Sequence, residues 1–218
     1  MLNQDYSQKV VMKTAYMQWE QSPATGVFRK KLEREETKRG RATSIVRYDA
    51  GSHFPDHSHP FGEEIFVLEG TFSDEHGDYP TGTYLRNPPG TSHAPFSKAG
   101  CTLFVKLCYF EQQDSDQLLI KTSEQSWLPG LVDGLEVMPL HSFEGQHTAL
   151  VKWRRYTKFC PHQHWGGEEI LVIEGEFNDE QGNYPALSWI RNPHLSQNRP
   201  YVENYETIIL VKTGHLPI

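Results

Sequence analysis

The sequence predicts an all-β protein with two small β-barrels in tandem. The chain has 218 residues, which is enough for one large domain or two small ones. One long segment occurs twice, short strand-like runs follow one another through both copies, and no stretch has the periodicity of an amphipathic helix. The repeat predicts the number of barrels, and the strand-like runs predict the fold class.

The repeat relates residues 54–95 to residues 159–200 without a gap, and 20 of the 42 aligned positions are identical. A period of about 105 residues is too long for a solenoid unit and fits two copies of one domain. We therefore expect domains at 1–112 and 113–218, joined near a stretch rich in Gln, Asp and Ser at 112–125.

The strands of each copy are short. Residues 65–68 and 170–173 are apolar on both faces, as in strands that are covered on both sides. The Asp-Glu-X-Gly segments at 74–77 and 179–182 are typical of hairpin turns, because glycine accepts positive φ angles. Many short strands separated by Gly and Pro predict a sandwich or a barrel.

Composition and charge indicate the cellular compartment and disfavour two classes of partner. The net charge of −7 disfavours binding to nucleic acid and to anionic membranes. The densest basic run, at 29–41, is interleaved with glutamates. Three cysteines without CxxC spacing favour a reducing compartment, and the first residues lack a signal-peptide core. We therefore expect a cytoplasmic protein that binds neither nucleic acid nor membrane.

Four residues of the first copy predict a metal site. His57 and His59 lie two apart on a predicted strand, so both side chains project from one face. Glu63 opens the next strand and completes a set of two imidazoles and one carboxylate. His93 follows a Pro-Pro-Gly turn and returns to the same cavity as a fourth ligand. This donor set suits a divalent transition metal.

The second copy repeats only part of this site. His162, His164 and Glu168 correspond to the first three ligands, whereas Asn198 occupies the position of His93. An amide oxygen is a weaker donor than an imidazole, so we expect a weaker second metal site. His194 lies four residues before Asn198, and the sequence leaves open whether it turns inward to replace the missing ligand. The alternative is a purely structural second barrel.

Two further residues, Arg86 and Arg191, are repeated and charged. We expect them to form structural ion pairs with the repeated glutamates at 64 and 69 and their copies. The alternative is that they bind an anionic ligand.

The spacing of the ligands resembles the two sequence motifs of the cupin family. The first motif is matched by Gly51, His57, His59, Glu63 and Gly70. The second motif is matched by Gly82, Pro88, Gly90 and His93, and it departs only at Ser97, where the pattern has Asn. The resemblance covers both halves and implies a bicupin, that is, tandem double-stranded β-helix (jelly-roll) domains.

A narrower resemblance is to the cupin-like C-terminal domain of ChrR-type anti-sigma factors. It is carried by the Gly-Glu-Glu run beginning at Gly62, by the Arg-Asn-Pro-Pro-Gly segment at 86–90 and by Gly-Cys at 100–101. In that family three His and one Glu bind zinc, which implies zinc at the first site, with Fe, Ni or Mn as alternatives. The family captures sigma factors with a separate Cys-containing domain; residues 1–51 contain no Cys, so we expect no sigma-factor binding.

These observations predict a metal-binding bicupin with a regulatory or sensory role that responds to an oxidant or a small molecule. Related cupins imply an alternative, a metal-dependent dioxygenase that acts on a small diketone or hydroxyketone. The sequence offers no general base beyond the ligands, and it leaves open whether the protein is an enzyme. A homodimer is compatible with the sequence.

Overall fold

The computed structural model describes residues 2–37 and 40–218. The described residues form 23 strands and two single-turn 3-10 helices, at Thr14–Tyr16 and Thr122–Glu124. The predicted all-β class is therefore confirmed. Within the described residues, no helix has the length and apolar character needed to span a membrane.

The strands of the first half are β1 (Val10–Lys13), β2 (Glu20–Gln21), β3 (Val27–Arg34), β4 (Ala42–Tyr48), β5 (Ser52–His53), β6 (His57–Ser58), β7 (Glu63–Asp74), β8 (Gly77–Pro80), β9 (Thr83–Asn87), β10 (Ser92–His93), β11 (Phe96–Ser97) and β12 (Cys101–Leu107). Those of the second half are β13 (Leu118–Lys121), β14 (Leu128–Pro129), β15 (Leu135–Phe143), β16 (Gln146–Trp153), β17 (His162–Gln163), β18 (Glu168–Glu174), β19 (Glu176–Asp179), β20 (Gly182–Pro185), β21 (Ser188–Asn192), β22 (Gln197–Asn198) and β23 (Thr207–Thr213).

The chain divides into two compact units that follow the repeat, except that each unit also contains one segment from the other half of the sequence. The first unit contains residues 2–4 and Gln18–Gln125, and the second contains Asp5–Met17 and Ser126–Ile218. The units therefore depart from the domains expected at 1–112 and 113–218. The reason is strand pairing: β13 joins β9 of the first unit, and β1 joins β21 of the second.

The two units have the same antiparallel arrangement. The main sheet of the first unit has the order β13-β9-β7-β12-β4-β3-β2, and that of the second has the order β1-β21-β18-β23-β16-β15-β14. Short strand pairs lie outside these paths, namely β6 with β10 and β5 with β11 in the first unit, and β17 with β22 and β19 with β20 in the second. Each unit is thus one barrel of jelly-roll type.

Each barrel has its own apolar core. The core of the first barrel includes Val27, Val46, Ile65, Val67, Phe72, Leu85 and Leu103. The core of the second barrel includes Leu135, Trp153, Ile170, Val172, Phe177, Ile190 and Ile209. Strands that bury both faces account for the continuous apolar runs in the sequence.

The repeated arginines hold the exchanged segments onto their barrels. Arg86 is buried, and its guanidinium lies 3.3 Å from Glu64 and donates two hydrogen bonds to Asp114, of 3.0 and 2.7 Å. Arg191 is also buried and donates a 2.9 Å hydrogen bond to the Asp5 carbonyl. The expected ion pair of Arg86 with Glu64 is confirmed, and Asp114 is a partner that the repeat did not reveal.

We expect Arg86→Met to lower the free energy of unfolding by about 3 kcal/mol or more, because it leaves two buried carboxylates without their cation. Urea unfolding measures this loss. Lys31→Met is the matched control, because its pair with Glu20 is largely exposed and its loss should cost less than about 1 kcal/mol. Equal effects of the two substitutions would contradict a structural role for Arg86.

Candidate metal centre

Strand register brings two of the predicted ligands directly opposite each other. The strands β6 and β10 pair antiparallel, with His57 opposite His93. The residue after β6, His59, is held by its backbone: its N–H donates to the Thr91 carbonyl at 2.8 Å, and its C=O accepts from Gly90 at 3.0 Å. His59 therefore stands at a defined place beside the pair, although it lies just outside the strand.

A tight turn returns the chain from His59 to Glu63, the first residue of β7. Gly62 has a φ of +78° in this turn, which glycine adopts without steric cost. A Cβ at this position would lie 2.2 Å from the ring of Phe110. The turn therefore needs glycine, both for its backbone angle and for its packing.

All four predicted ligands of the first copy come together. Donor atoms of His57, His59, Glu63 and His93 lie within 4.8 Å of one another. The three imidazole rings are equally close, with centroids 4.7 to 5.0 Å apart. His59, Glu63 and His93 are buried and His57 is half-buried, so the cluster faces the barrel interior.

Each imidazole of this cluster is oriented by a partner on its Nδ1 atom. The partners are the carbonyl of Pro55 for His57 at 2.9 Å, the hydroxyl of Thr91 for His59 at 3.0 Å and the carboxylate of Asp74 for His93 at 3.3 Å. Because Nδ1 is engaged in every case, Nε2 is the nitrogen left for a ligand. Hydrogen bonds of this kind set the ring orientation and tautomer of metal-binding histidines.

The tautomer of His59 follows from its partner. The Thr91 hydroxyl donates to the Pro88 carbonyl at 2.8 Å, so its oxygen accepts from the His59 Nδ1–H. The Nε2 atom of His59 then carries a lone pair. This atom is buried and has no hydrogen-bond partner among the described residues.

A carboxylate oxygen faces the same point. Glu63 Oε2 lies 3.2 Å from His59 Nε2 and 3.5 Å from His93 Nε2. Asn87 donates a 3.2 Å hydrogen bond to this oxygen and holds it in place. Lone pairs that converge in a buried space repel one another unless a proton or a metal cation lies between them, and the donor set of this cluster fits a divalent metal ion.

The protonation states also suit a cation. Burial lowers the pKa of His59 to about 4 and lowers that of His93, so both rings are neutral near pH 7, the form that binds metal. Burial raises the pKa of Glu63 to about 7. A bound cation would favour the ionised carboxylate.

The second copy brings together its three predicted residues. Donor atoms of His162, His164 and Glu168 lie within 4.8 Å of one another. The strands β17 and β22 pair with His162 opposite Asn198, in the register of His57 and His93. Asn198 therefore occupies the place of the missing imidazole, as the sequence predicts.

Hydrogen bonds close this second cluster. The Asn198 side-chain oxygen lies 3.1 Å from His164 Nε2, and its amide nitrogen donates to Glu168 Oε2 at 3.5 Å. Asn192 donates to the same carboxylate oxygen at 2.9 Å. The Asn198 amide thus satisfies an imidazole and a carboxylate at once, so this cluster has less need of a cation than the first.

His194 lies outside the cluster of His162, His164 and Glu168. Its Nδ1 accepts a 2.9 Å hydrogen bond from the Gly166 N–H, and its ring lies 4.7 Å from the Trp165 ring. It is absent from the described clusters of candidate ligands. Among the described residues, His194 therefore contacts the neighbouring turn and not the second cluster.

The turn before Asn198 keeps the backbone path of the first copy. Leu195 has a φ of +60°, in the left-handed region that Gly90 also adopts at +94°. The N–H of Leu195 donates to the His164 carbonyl at 2.9 Å, as that of Gly90 donates to His59. The two clusters therefore differ in their side chains and share their backbone frame.

The first cluster borders a cavity of about 190 Å³ inside its barrel. Apolar side chains dominate the lining, with Arg29 and Tyr48 among the polar groups. A second cavity, of about 300 Å³, adjoins His162 and Glu168 and is lined almost entirely by apolar side chains.

Several residues of the first site were missed by sequence reasoning. The sequence predicts only a turn at Asp74. Its Oδ1 does accept hydrogen bonds from the turn N–H groups of His76 and Gly77. Its Oδ2, however, faces the imidazole of His93. Thr91 and Arg29 belong to no recognised sequence motif. Thr91 could have been suspected because it lies two residues before a predicted ligand.

Comparisons with known proteins agree with this architecture. The sequence profile of the ChrR cupin-like domain matches residues 7–111 and again residues 115–217. A search of curated proteins gave no match.

Solved structures share the fold at low sequence identity. A Nostoc punctiforme protein described as a candidate dioxygenase has a TM-score of 0.80 at 14% identity, over 96% of this chain and 84% of its own. A cupin 2 conserved barrel domain protein from Leptotrichia buccalis has 0.65 at 8%, over 98% and 99%. An oxalate decarboxylase from Lactobacillus farciminis has 0.69 at 12%, over 95% and 86%.

We expect Asn198→Ala to lower the free energy of unfolding of metal-free protein by about 1–3 kcal/mol, because it removes the hydrogen-bond partner of the buried His164 Nε2 and one of the two amide donors to Glu168. Chemical unfolding in the presence of a chelator measures the effect. The neighbouring Gln197 is exposed, so Gln197→Ala should change stability by less than about 0.5 kcal/mol. A neutral Asn198→Ala would show that the amide does not close the cluster.

Proposed function

Because the chain belongs to the ChrR cupin-like domain family in both of its halves, we propose that it is a metal-binding bicupin with a regulatory or sensory role. Its first barrel holds one divalent transition metal at His57, His59, Glu63 and His93. The cavity beside this metal senses a small molecule or an oxidant. The protein does not capture a sigma factor.

One observation carries the metal assignment. The buried Nε2 of His59 has no hydrogen-bond partner among the described residues, and it points at a carboxylate oxygen 3.2 Å away. Such an arrangement is unfavourable unless the carboxyl is protonated or a cation lies between the two atoms. The Nδ1 partners leave the Nε2 atoms of all three imidazoles for a ligand, and donor atoms of the four residues lie within 4.8 Å of one another.

Zinc is the proposed metal of the first site. Three imidazoles and one carboxylate supply four protein ligands, which is the number that closed zinc sites use. The same donors also suit iron, nickel and manganese. A closed set of four ligands favours a structural or sensory centre over a catalytic one.

The second cluster supports a weaker metal site. His162, His164 and Glu168 remain as donors, but a metal there has to displace the contacts of Asn198 with His164 and Glu168. We therefore propose that the second ion binds less tightly and is the first to dissociate.

A metal-dependent dioxygenase that acts on a small diketone or hydroxyketone is the second candidate. The observation that favours it is the cavity of about 190 Å³ bordered by His57, His59, Glu63 and His93. Bound iron would supply the redox chemistry with dioxygen. The apolar lining would hold the carbon skeleton of the substrate and exclude water.

Zinc stoichiometry tests the metal assignment. We expect the full chain to take up one tight equivalent of zinc in competition with a chromogenic chelator. His59→Ala should lose this equivalent, because it removes a convergent imidazole. The matched substitution in the second barrel, His164→Ala, should keep it. Wild-type protein that takes up no zinc would refute the proposal, as would a tight equivalent lost only in the second variant.

Oxygen uptake separates the regulator from the enzyme. We expect the iron-loaded protein to consume no oxygen above background when offered 2,4-pentanedione or hydroxyacetophenones, measured with an oxygen electrode. Free iron at the same concentration is the control. Substrate-dependent uptake that His93→Ala abolishes would instead establish the dioxygenase.

A further inference from the structure

We propose that the cavity of the first barrel binds a small organic carboxylate through Arg29. This inference rests on the proposed metal centre and adds to it the chemical class of the small molecule. Arg29 lies on β3 opposite Val46 of β4, and it lines the same cavity as His57, His59, Glu63 and His93.

No hydrogen bond from a described residue fixes the Nε atom of the Arg29 guanidinium. This atom is buried. The Cζ of Arg29 lies 5.6 Å from the centroid of the Phe54 ring, a contact that leaves the N–H donors of the guanidinium available. Although burial lowers the pKa of Arg29, a guanidinium remains protonated in the neutral range. The cavity therefore contains a partly desolvated cation with a free donor.

The charge balance of the cavity favours an anion. Tyr48 and Glu63 are the acidic groups that interact with Arg29 electrostatically. Burial raises the pKa of Tyr48, so its phenol is neutral near pH 7, and the Glu63 carboxylate belongs to the metal cluster. With a divalent metal bound, the charge of Glu63 is more than compensated and Arg29 is left without an anion. A second arginine, Arg34, also lines the cavity. The lining of this cavity therefore has two arginines and one carboxylate, that of Glu63.

Size and lining restrict the anion to a compact organic molecule. The cavity of about 190 Å³ is smaller than the roughly 300–1,000 Å³ of typical drug-sized pockets. Most of the remaining wall is apolar and includes Val46, Ile65, Phe72, Leu103 and Val105. A single carboxylate on a small aromatic or aliphatic body fits both the charge and the wall. Arginine binds carboxylates with two parallel hydrogen bonds.

The second barrel provides an internal comparison. Val137 lies opposite Val151, in the register that places Arg29 opposite Val46. Val137 therefore occupies the position of Arg29 in the second barrel. It lines the cavity beside the second cluster together with other apolar residues, including Trp153 and Phe159. The common barrel frame therefore does not require an arginine here. The copy that has the arginine is the copy that has all four candidate metal ligands.

Calorimetry on the zinc-loaded protein tests this inference. The probes are benzoate and butanoate, each compared with its neutral amide. We expect at least one carboxylate to bind about tenfold or more tightly than its amide, because only the anion pairs with the guanidinium. Arg29→Gln should abolish this preference while the protein retains its tight equivalent of zinc. Arg154→Gln, at an exposed arginine of the second barrel, should leave the preference intact.

Arg29→Val, which copies the second barrel, is the second variant if Arg29→Gln does not fold, and it should also lose the preference. A protein that holds zinc but binds neither carboxylate, or binds acid and amide equally, overturns the inference and leaves the metal centre in place. A preference that persists in both Arg29 variants overturns it as well. A protein that takes up no zinc overturns the metal centre and, with it, this inference.

Discussion

The candidate site depends on one backbone constraint, the antiparallel register of β6 and β10. This register sets His57 opposite His93. The backbone hydrogen bonds of His59 to the turn at 88–91 then bring the third imidazole to the same place. Glu63 lies beside them because the turn at Gly62, which has a positive φ, places it at the start of β7. The hydrogen bonds on the Nδ1 atoms complete the arrangement by leaving the three Nε2 atoms for a ligand.

The comparison of the two barrels separates what the frame dictates from what the side chains decide. Both barrels keep the register and the backbone bonds of the turn, even where Leu195 has to adopt a left-handed conformation. What changes is the polar chemistry inside. In the first barrel buried lone pairs converge, whereas in the second an asparagine amide joins an imidazole to a carboxylate. One frame thus supports a candidate metal site and a hydrogen-bonded core.

Much of this architecture could be predicted from the sequence. The repeat, the turn residues and the period of the apolar runs predicted two all-β barrels, and the spacing of the ligands predicted which side chains meet. The exchange of β1 and β13 could not be predicted, because it depends on pairing between strands far apart in the chain. Arg29 was missed for a different reason. It lies in a charged run, and only the fold shows that it forms part of the cavity wall.

Anomalous X-ray diffraction at the zinc edge tests the central claim most directly. Crystals of the full chain with one equivalent of zinc should show a single strong anomalous peak, within bonding distance of the Nε2 atoms of His57, His59 and His93 and of the Glu63 carboxylate. A peak beside His162 and His164 with none at the first cluster would contradict the account. So would a first cluster that remains empty in the presence of excess zinc.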